Sequence, residues 1–183
     1  MMIDYVTLLL VNMVAALAVL AFFLWWGLAG PHPEHWAPAF AICGLVATIG
    51  GLVMSFTWPI PTPFSEIYGG TSVLLGVLFL GAAWTLTRGW SLLPLAIYAF
   101  FAGAAAILIG IRFIDLALAP NAVLPGIGFI LTGLAGVLAG TVLRKPEAKP
   151  LRLIGGLVLL IAAAIWTATG SYALWLHMSV PHP

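Results

Sequence analysis

Long apolar runs alternate along this chain with short clusters of proline, glycine and charge. Six runs are long enough to cross a bilayer: residues 3–28, 37–57, 70–87, 92–117, 122–143 and 151–176. A helix crosses the hydrocarbon with about 20 apolar residues at about 1.5 Å each. The breaks fall at Gly30-Pro31-His32-Pro33-Glu34, Trp58 to Tyr68, Arg88-Gly89-Trp90, Ala119-Pro120-Asn121 and Arg144 to Pro150. Proline stops helices because it lacks the N–H and its ring clashes with the preceding turn. The runs are continuous and do not alternate, which argues against a β-barrel, whose strands are half as long. The expected fold is all-α: one domain, residues 1–183, forming an integral membrane bundle of six transmembrane helices with both termini on the outer side. The stretch from Tyr5 to Gly27 in the first run follows Asp4, not a basic segment, and exceeds the roughly 7–15 residues of a signal-peptide core. It is expected to be retained as a span.

Composition supports this pattern. The 183 residues are 63% apolar and 6% charged, against about a quarter charged in a soluble domain, and the mean hydropathy is +1.19. So few charges cannot cover a soluble enzyme, and a nucleic-acid binder needs a basic face that is missing here. The expected partners are the lipid bilayer and other membrane subunits, with no nucleic acid. The expected location is a prokaryotic inner membrane, crossed several times. The single cysteine, Cys43, rules out an intramolecular disulfide and Cys-based metal sites. Among apolar neighbours it reads as a packing residue.

The few charges sort by side. The segment from Arg144 to Arg152 is the most basic and belongs inside by the positive-inside rule. Alternation then puts Arg88 and the His32–His35 turn inside as well, so that five of the six Lys and Arg share that side. Trp25, Trp26, Trp36, Trp84 and Trp90 fall at the inner boundary and Trp58 and Trp175 at the outer one, which leaves Trp166 as the single tryptophan at depth. The spacings Gly136-x-x-x-Gly140, Ala99-x-x-x-Gly103 and Ala47-x-x-x-Gly51 suit close helix packing.

Polar residues gather in the outer halves of the runs, among them Asn12, Thr57, Thr71, Ser72, Arg112, Asp115, Thr167 and Thr169, with Tyr5, Glu66, Tyr68 and His177 at the outer rim. Such groups avoid lipid, so the expectation is a polar pocket open to the outer side. Arg112 and Asp115 stand three apart on one helix face, where they can pair. One reading has Arg112 snorkel to the headgroups; the other turns it inward to hold an anionic or carbonyl group, with Glu66 nearby. The loop from Thr57 to Gly70 carries prolines at 59, 61 and 63, which favour stiff extended backbone. Gly69-Gly70 is expected to allow a tight start to the third helix. The loop is either a rigid connector or a lid that brings Trp58, Glu66 and Tyr68 over the pocket. The candidate binding residues are Arg112, Asp115, Glu66, Trp58, Tyr68, Asn12 and His177.

At this loop the sequence resembles a family of uncharacterised polytopic prokaryotic membrane proteins, a domain of unknown function. The resemblance rests on Thr57-Trp58-Pro59-Ile60-Pro61, on Tyr68-Gly69-Gly70 and on the surrounding span pattern, while Pro63 and Glu66 depart from it. It implies a membrane location and carries over no catalytic role.

Cofactor chemistry finds little purchase. Haem held by two histidines needs them at similar depth on facing helices, whereas His32 and His35 lie at the inner edge and His177 and His182 at the outer. His32, Glu34 and His35 suit a metal only if their turn is helical, which Pro33 argues against, so a plain surface turn is expected. Met1, Met2, His177, Met178 and His182 offer copper-type ligands, but a frayed terminus is the expected state. No nucleophile elbow, zinc-protease helix or phosphate loop is present, so the chain does not read as an enzyme. The leading expectation is a binding or accessory subunit for a quinone, another lipid-soluble molecule or a partner complex. The alternatives are a redox subunit holding haem or quinone, and a small-solute transporter, against which stands the lack of a midplane charge or inverted repeat.

Overall fold

A computed structural model describes residues 5–179 of the chain. Six α-helices follow one another: α1 (Tyr5–Phe22), α2 (Ala37–Thr57), α3 (Phe64–Thr87), α4 (Leu95–Asp115), α5 (Val123–Arg144) and α6 (Lys149–Ser179). The described residues contain no strand. All six helices are long and apolar enough to cross a membrane, and the protein is a multi-pass membrane protein whose environment is the lipid bilayer. Exposed tryptophans lie near the helix ends, as at Trp26, Trp58, Trp84, Trp90 and Trp175, whereas Trp166 is 1% exposed. One end of the bundle carries Arg88, Arg144, Lys145, Lys149 and Arg152 and is called the basic end below; Glu66, Arg112 and Asp115 mark the far end.

Proline sits where a helix tolerates it. Pro38, Pro125 and Pro150 occupy the first turns of α2, α5 and α6, where the missing N–H has no intrahelical acceptor to lose. The same rule corrects two expectations. The third helix begins at Phe64, six residues before the expected start at Gly70, because Pro63 serves as its N-cap residue and Ser65 braces the turn, donating to the Ile60 carbonyl at 2.7 Å and accepting from its N–H at 3.2 Å. The connector therefore shrinks to residues 58–63. The turn before α2 is also helical, despite Pro33. Residues Pro33–Trp36 form a 3₁₀ helix with proline at its first position. α1 itself ends in a wider π-helical turn, Phe23–Gly27, closed by the Leu28 N–H on the Phe23 carbonyl at 2.7 Å.

Packing follows chain order. Each helix lies against the next, and α6 closes on α1, so the six make a ring. The pairs α2–α3 and α4–α5 are tight, and the seam between α3 and α4 is the loosest. Small residues make the tight pairs. A Cβ added at Gly51 would lie 2.8 Å from the Gly69 carbonyl oxygen, and one at Gly44 would lie 2.8 Å from the Leu80 nitrogen. On the other pair, Gly136 faces the Ala99 carbonyl at 2.7 Å, and Gly103 and Gly133 each face the other's carbonyl oxygen. Glycine lets the two backbones touch, which is how helices associate where lipid offers no hydrophobic drive. Gly69 is thus a packing residue inside α3, not the hinge at its start.

Candidate functional site

Within the ring lies a partly open cavity of about 390 Å³, lined by residues from all six helices. Most of its walls come from the basic-end halves, with Phe23 and Leu24 of the π-helical turn after α1, Phe40 of α2, Phe79 and Ala82 of α3, Ala96 and Ala99 of α4, Leu138 of α5 and Leu151 of α6, while Met13, Thr71 and Phe129 carry it past the middle of the ring. Among the lining residues only Thr71, Thr132 and Thr141 have polar side chains, and none is charged. Thr71 and Thr132 donate their hydroxyl protons to carbonyls of their own helix, Ile67 at 2.6 Å and Gly128 at 2.8 Å. The cavity is therefore an apolar space with a few acceptor lone pairs.

An aromatic group packs beside it on the far-end side. Phe129 of α5 borders the cavity, and the Trp166 ring meets it edge-on at 4.9 Å. Tyr68 stands 5.8 Å from Phe129 and 6.4 Å from Trp166, and Phe113 stands 6.1 Å from Phe129. Trp166 is fixed by one bond, its indole N–H donating to Thr132 Oγ1 at 3.1 Å. A buried indole needs such a partner. A second group, Phe23, Phe40 and Phe79, packs at 5.1–5.2 Å on the α1–α3 side of the wall.

The candidate residues whose side chains are described do not gather on this cavity, and none of those lines it. Arg112 and Asp115 pair with each other, their side chains 63% and 59% exposed. Such an exposed pair contributes at most about 1 kcal/mol. Arg112 is thus held by its helix neighbour at the surface and does not point into the ring. Glu66 and Trp58 are exposed, and Trp58 caps α2 with a left-handed φ of 48°. Tyr68 belongs to the aromatic group. Asn12 is buried on α1 and donates to the Cys43 carbonyl of α2 at 3.0 Å. Cys43 packs in the core beside Phe40 and Phe79. His177 falls in the last turns of α6 and its side chain is outside those described; Met1, Met2 and His182 lie outside the described residues altogether. His32 and His35 share the 3₁₀ turn at the basic end.

The cavity described is apolar and lies mostly toward the basic end, away from the charged residues of the outer side. Several outer hydroxyls are satisfied within their own helices. Thr57, Thr71, Thr167 and Thr169 bond the carbonyl four residues back on their own helices, so they need no water-filled pocket. Trp166 and Phe129 were not among the candidates. The available signal was position, since Trp166 is the one tryptophan away from both interfacial belts.

Comparison with known proteins agrees with the architecture. The chain superimposes on the Helicobacter pylori urea channel, solved by electron cryo-microscopy in a closed state, with a TM-score of 0.72 and 17% identity, over 96% of this chain and 100% of that one. At that identity the likeness is one of fold. No curated protein sequence matches. A family model described as Protein of unknown function (DUF981) matches residues 1–180, and the chain belongs to that family.

Proposed function

We propose that the chain is a passive conduit for small uncharged solutes, running along the axis of the helix ring in a prokaryotic inner membrane with the basic end inside. The observation that carries this reading is the 390 Å³ cavity bounded by all six helices. A bundle built only to pack has no reason to hold its helices apart around a common space. The lining sets the selectivity. An ion loses its hydration at a cost of several kcal/mol or more in an apolar lumen that offers no counter-charge. A compact neutral solute loses less because it has no net charge to desolvate, and the threonine lone pairs can accept from its N–H or O–H donors. Urea, named in the structural neighbour, is the first solute to try. On this reading the packed rings of Tyr68, Phe129 and Trp166 lie across the route beyond the cavity, and conduction requires them to part.

The test is solute flux in proteoliposomes, followed by osmotic swelling. Urea should enter faster than in empty liposomes, and Trp166→Ala should raise the rate further, while potassium chloride stays excluded. Flux equal to that of empty liposomes for both proteins, each shown to be folded by its helical circular dichroism, would reject the conduit.

A second reading, a binding or accessory subunit that retains a lipid-soluble molecule such as a quinone, draws on the apolarity of the same lining. Extraction of the purified protein decides it: a quinone present at near one per chain, and lost when Ala102→Phe fills the cavity, favours retention over passage.

A further inference from the structure

The turn between α1 and α2 brings three metal-ligating side chains onto one patch. Pro33 takes the first position of the 3₁₀ helix Pro33–Trp36, with His32 as its N-cap residue. A 3₁₀ helix has three residues per turn, so side chains three apart eclipse. His32 and His35 are three apart, and the His35 N–H donates to the His32 carbonyl at 3.2 Å. Their rings stack, with centroids 5.0 Å apart and planes 20° from parallel. Glu34 folds back toward His32, its carboxylate 3.0 Å from His32 Nδ1. One ligand atom from each of the three residues lies within 4.8 Å of the others, and all three side chains are exposed.

We propose that His32, Glu34 and His35 bind a borderline divalent transition-metal ion, with Zn²⁺ as the type. Two imidazoles and one carboxylate are the donors that Zn²⁺ and its neighbours in the series prefer. Calcium and magnesium want more oxygen ligands than the patch offers. Tetrahedral bonds of about 2.0–2.1 Å set ligand atoms about 3.4 Å apart, so the three groups must close by a small distance. The two rings must also splay, because each nitrogen lone pair lies in its own ring plane and parallel planes share no point. Both rings are exposed, so turning them costs only their mutual stack and the contact of His32 with Glu34. The backbone that presents them is anchored, since Trp36 packs edge-on against Phe23 at 6.0 Å and Ala37 is buried at the start of α2. Water completes the coordination shell. The site is independent of any conduction through the ring.

The test uses the full chain in detergent near neutral pH, titrated calorimetrically with Zn²⁺ alone. The expected result is one site per chain with a dissociation constant on the order of micromolar, weakened about tenfold or more in His32→Ala and in His35→Ala. Removing the imidazoles of the C-terminal segment, in His177→Ala/His182→Ala, should leave binding unchanged. With Cu²⁺ as probe, electron paramagnetic resonance should show coupling to two imidazole nitrogens, reduced to one in either single variant. Because the three side chains are exposed, these substitutions spare the fold, and an unchanged circular dichroism spectrum checks it. Wild-type Zn²⁺ affinity in the His32→Ala/His35→Ala protein would overturn the proposal, as would failure of the wild type to saturate below about 1 mM.

Discussion

Asn12 shows how a polar residue in an apolar helix is settled by the backbone beside it. Its side chain is 8% exposed, and its amide donates to the Cys43 carbonyl at 3.0 Å. That carbonyl already serves the helical ladder of α2 and accepts Asn12 with its second lone pair. The bond ties α1 to α2, a seam less extensive than the two tight pairs. Side-chain bonds between membrane helices contribute about 0.6 kcal/mol on average and up to about 1.7. Asn12→Leu should therefore lower the thermal midpoint in detergent by a few degrees without changing helix content. An unchanged or raised midpoint would mean that the contact adds nothing. From sequence, Asn12 could be placed at the right depth and correctly kept away from lipid. Its partner could not be read, because a helix carbonyl leaves no mark in the pattern of side chains. The threonines that bond their own helices escape a sequence reading for the same reason.

At the scale of elements, α3 carries a pair of positions that isolates close packing from helix propensity. A Cβ at Gly70 meets nothing within 4 Å, whereas one at Gly76 would lie 2.5 Å from the Thr48 nitrogen and 2.8 Å from the Gly44 carbonyl oxygen. Alanine is favoured over glycine inside a helix by about 0.8–1.0 kcal/mol. Gly70→Ala should thus leave the protein as stable or more so. Gly76→Ala must push α2 away from α3 and should cost a few kcal/mol, of the order of other overpacked sites. Thermal melting of the two variants side by side checks this, and equal midpoints would contradict the close approach. The helices themselves were legible: continuous apolar runs broken by proline gave six elements in the observed order, with most ends within a few residues. The start of α3 was not, because Gly69-Gly70 looks alike in sequence whether it hinges a loop or fits a neighbour. The neighbour decides it, with Gly69 packed on Gly51 and Ser55 while Gly70 faces open space. Pro33 misled in the same way, since proline reads as a helix breaker although the first position of a 3₁₀ helix welcomes it.

For the whole molecule, ring closure turns residues that look like ordinary core or lipid-facing positions into the wall of a shared cavity. Leucine and alanine carry no sequence mark that separates a lumen from a lipid face, so the far-end charges drew the expectation away from it. The proposed path offers two positions at which it can be widened or blocked. In the proposed conduit Trp166, packed on Phe129 and bonded to Thr132, would stand at the far end, and Ala102 stands on the cavity wall in α4. If solute passes along that path, the two positions act in series. Trp166→Ala then opens the upper one and raises urea flux, while Ala102→Phe fills the lower one with a benzyl-sized group. In series the tighter barrier dominates, so the double variant Trp166→Ala/Ala102→Phe should fall back to the rate of empty liposomes, however fast Trp166→Ala is alone. If solute leaks instead along the loose α3–α4 seam or around the outside of the bundle, the two substitutions are independent and the double variant keeps the flux of Trp166→Ala. Comparing the four proteins under one osmotic gradient thus tests the path itself, beyond the fact of permeation.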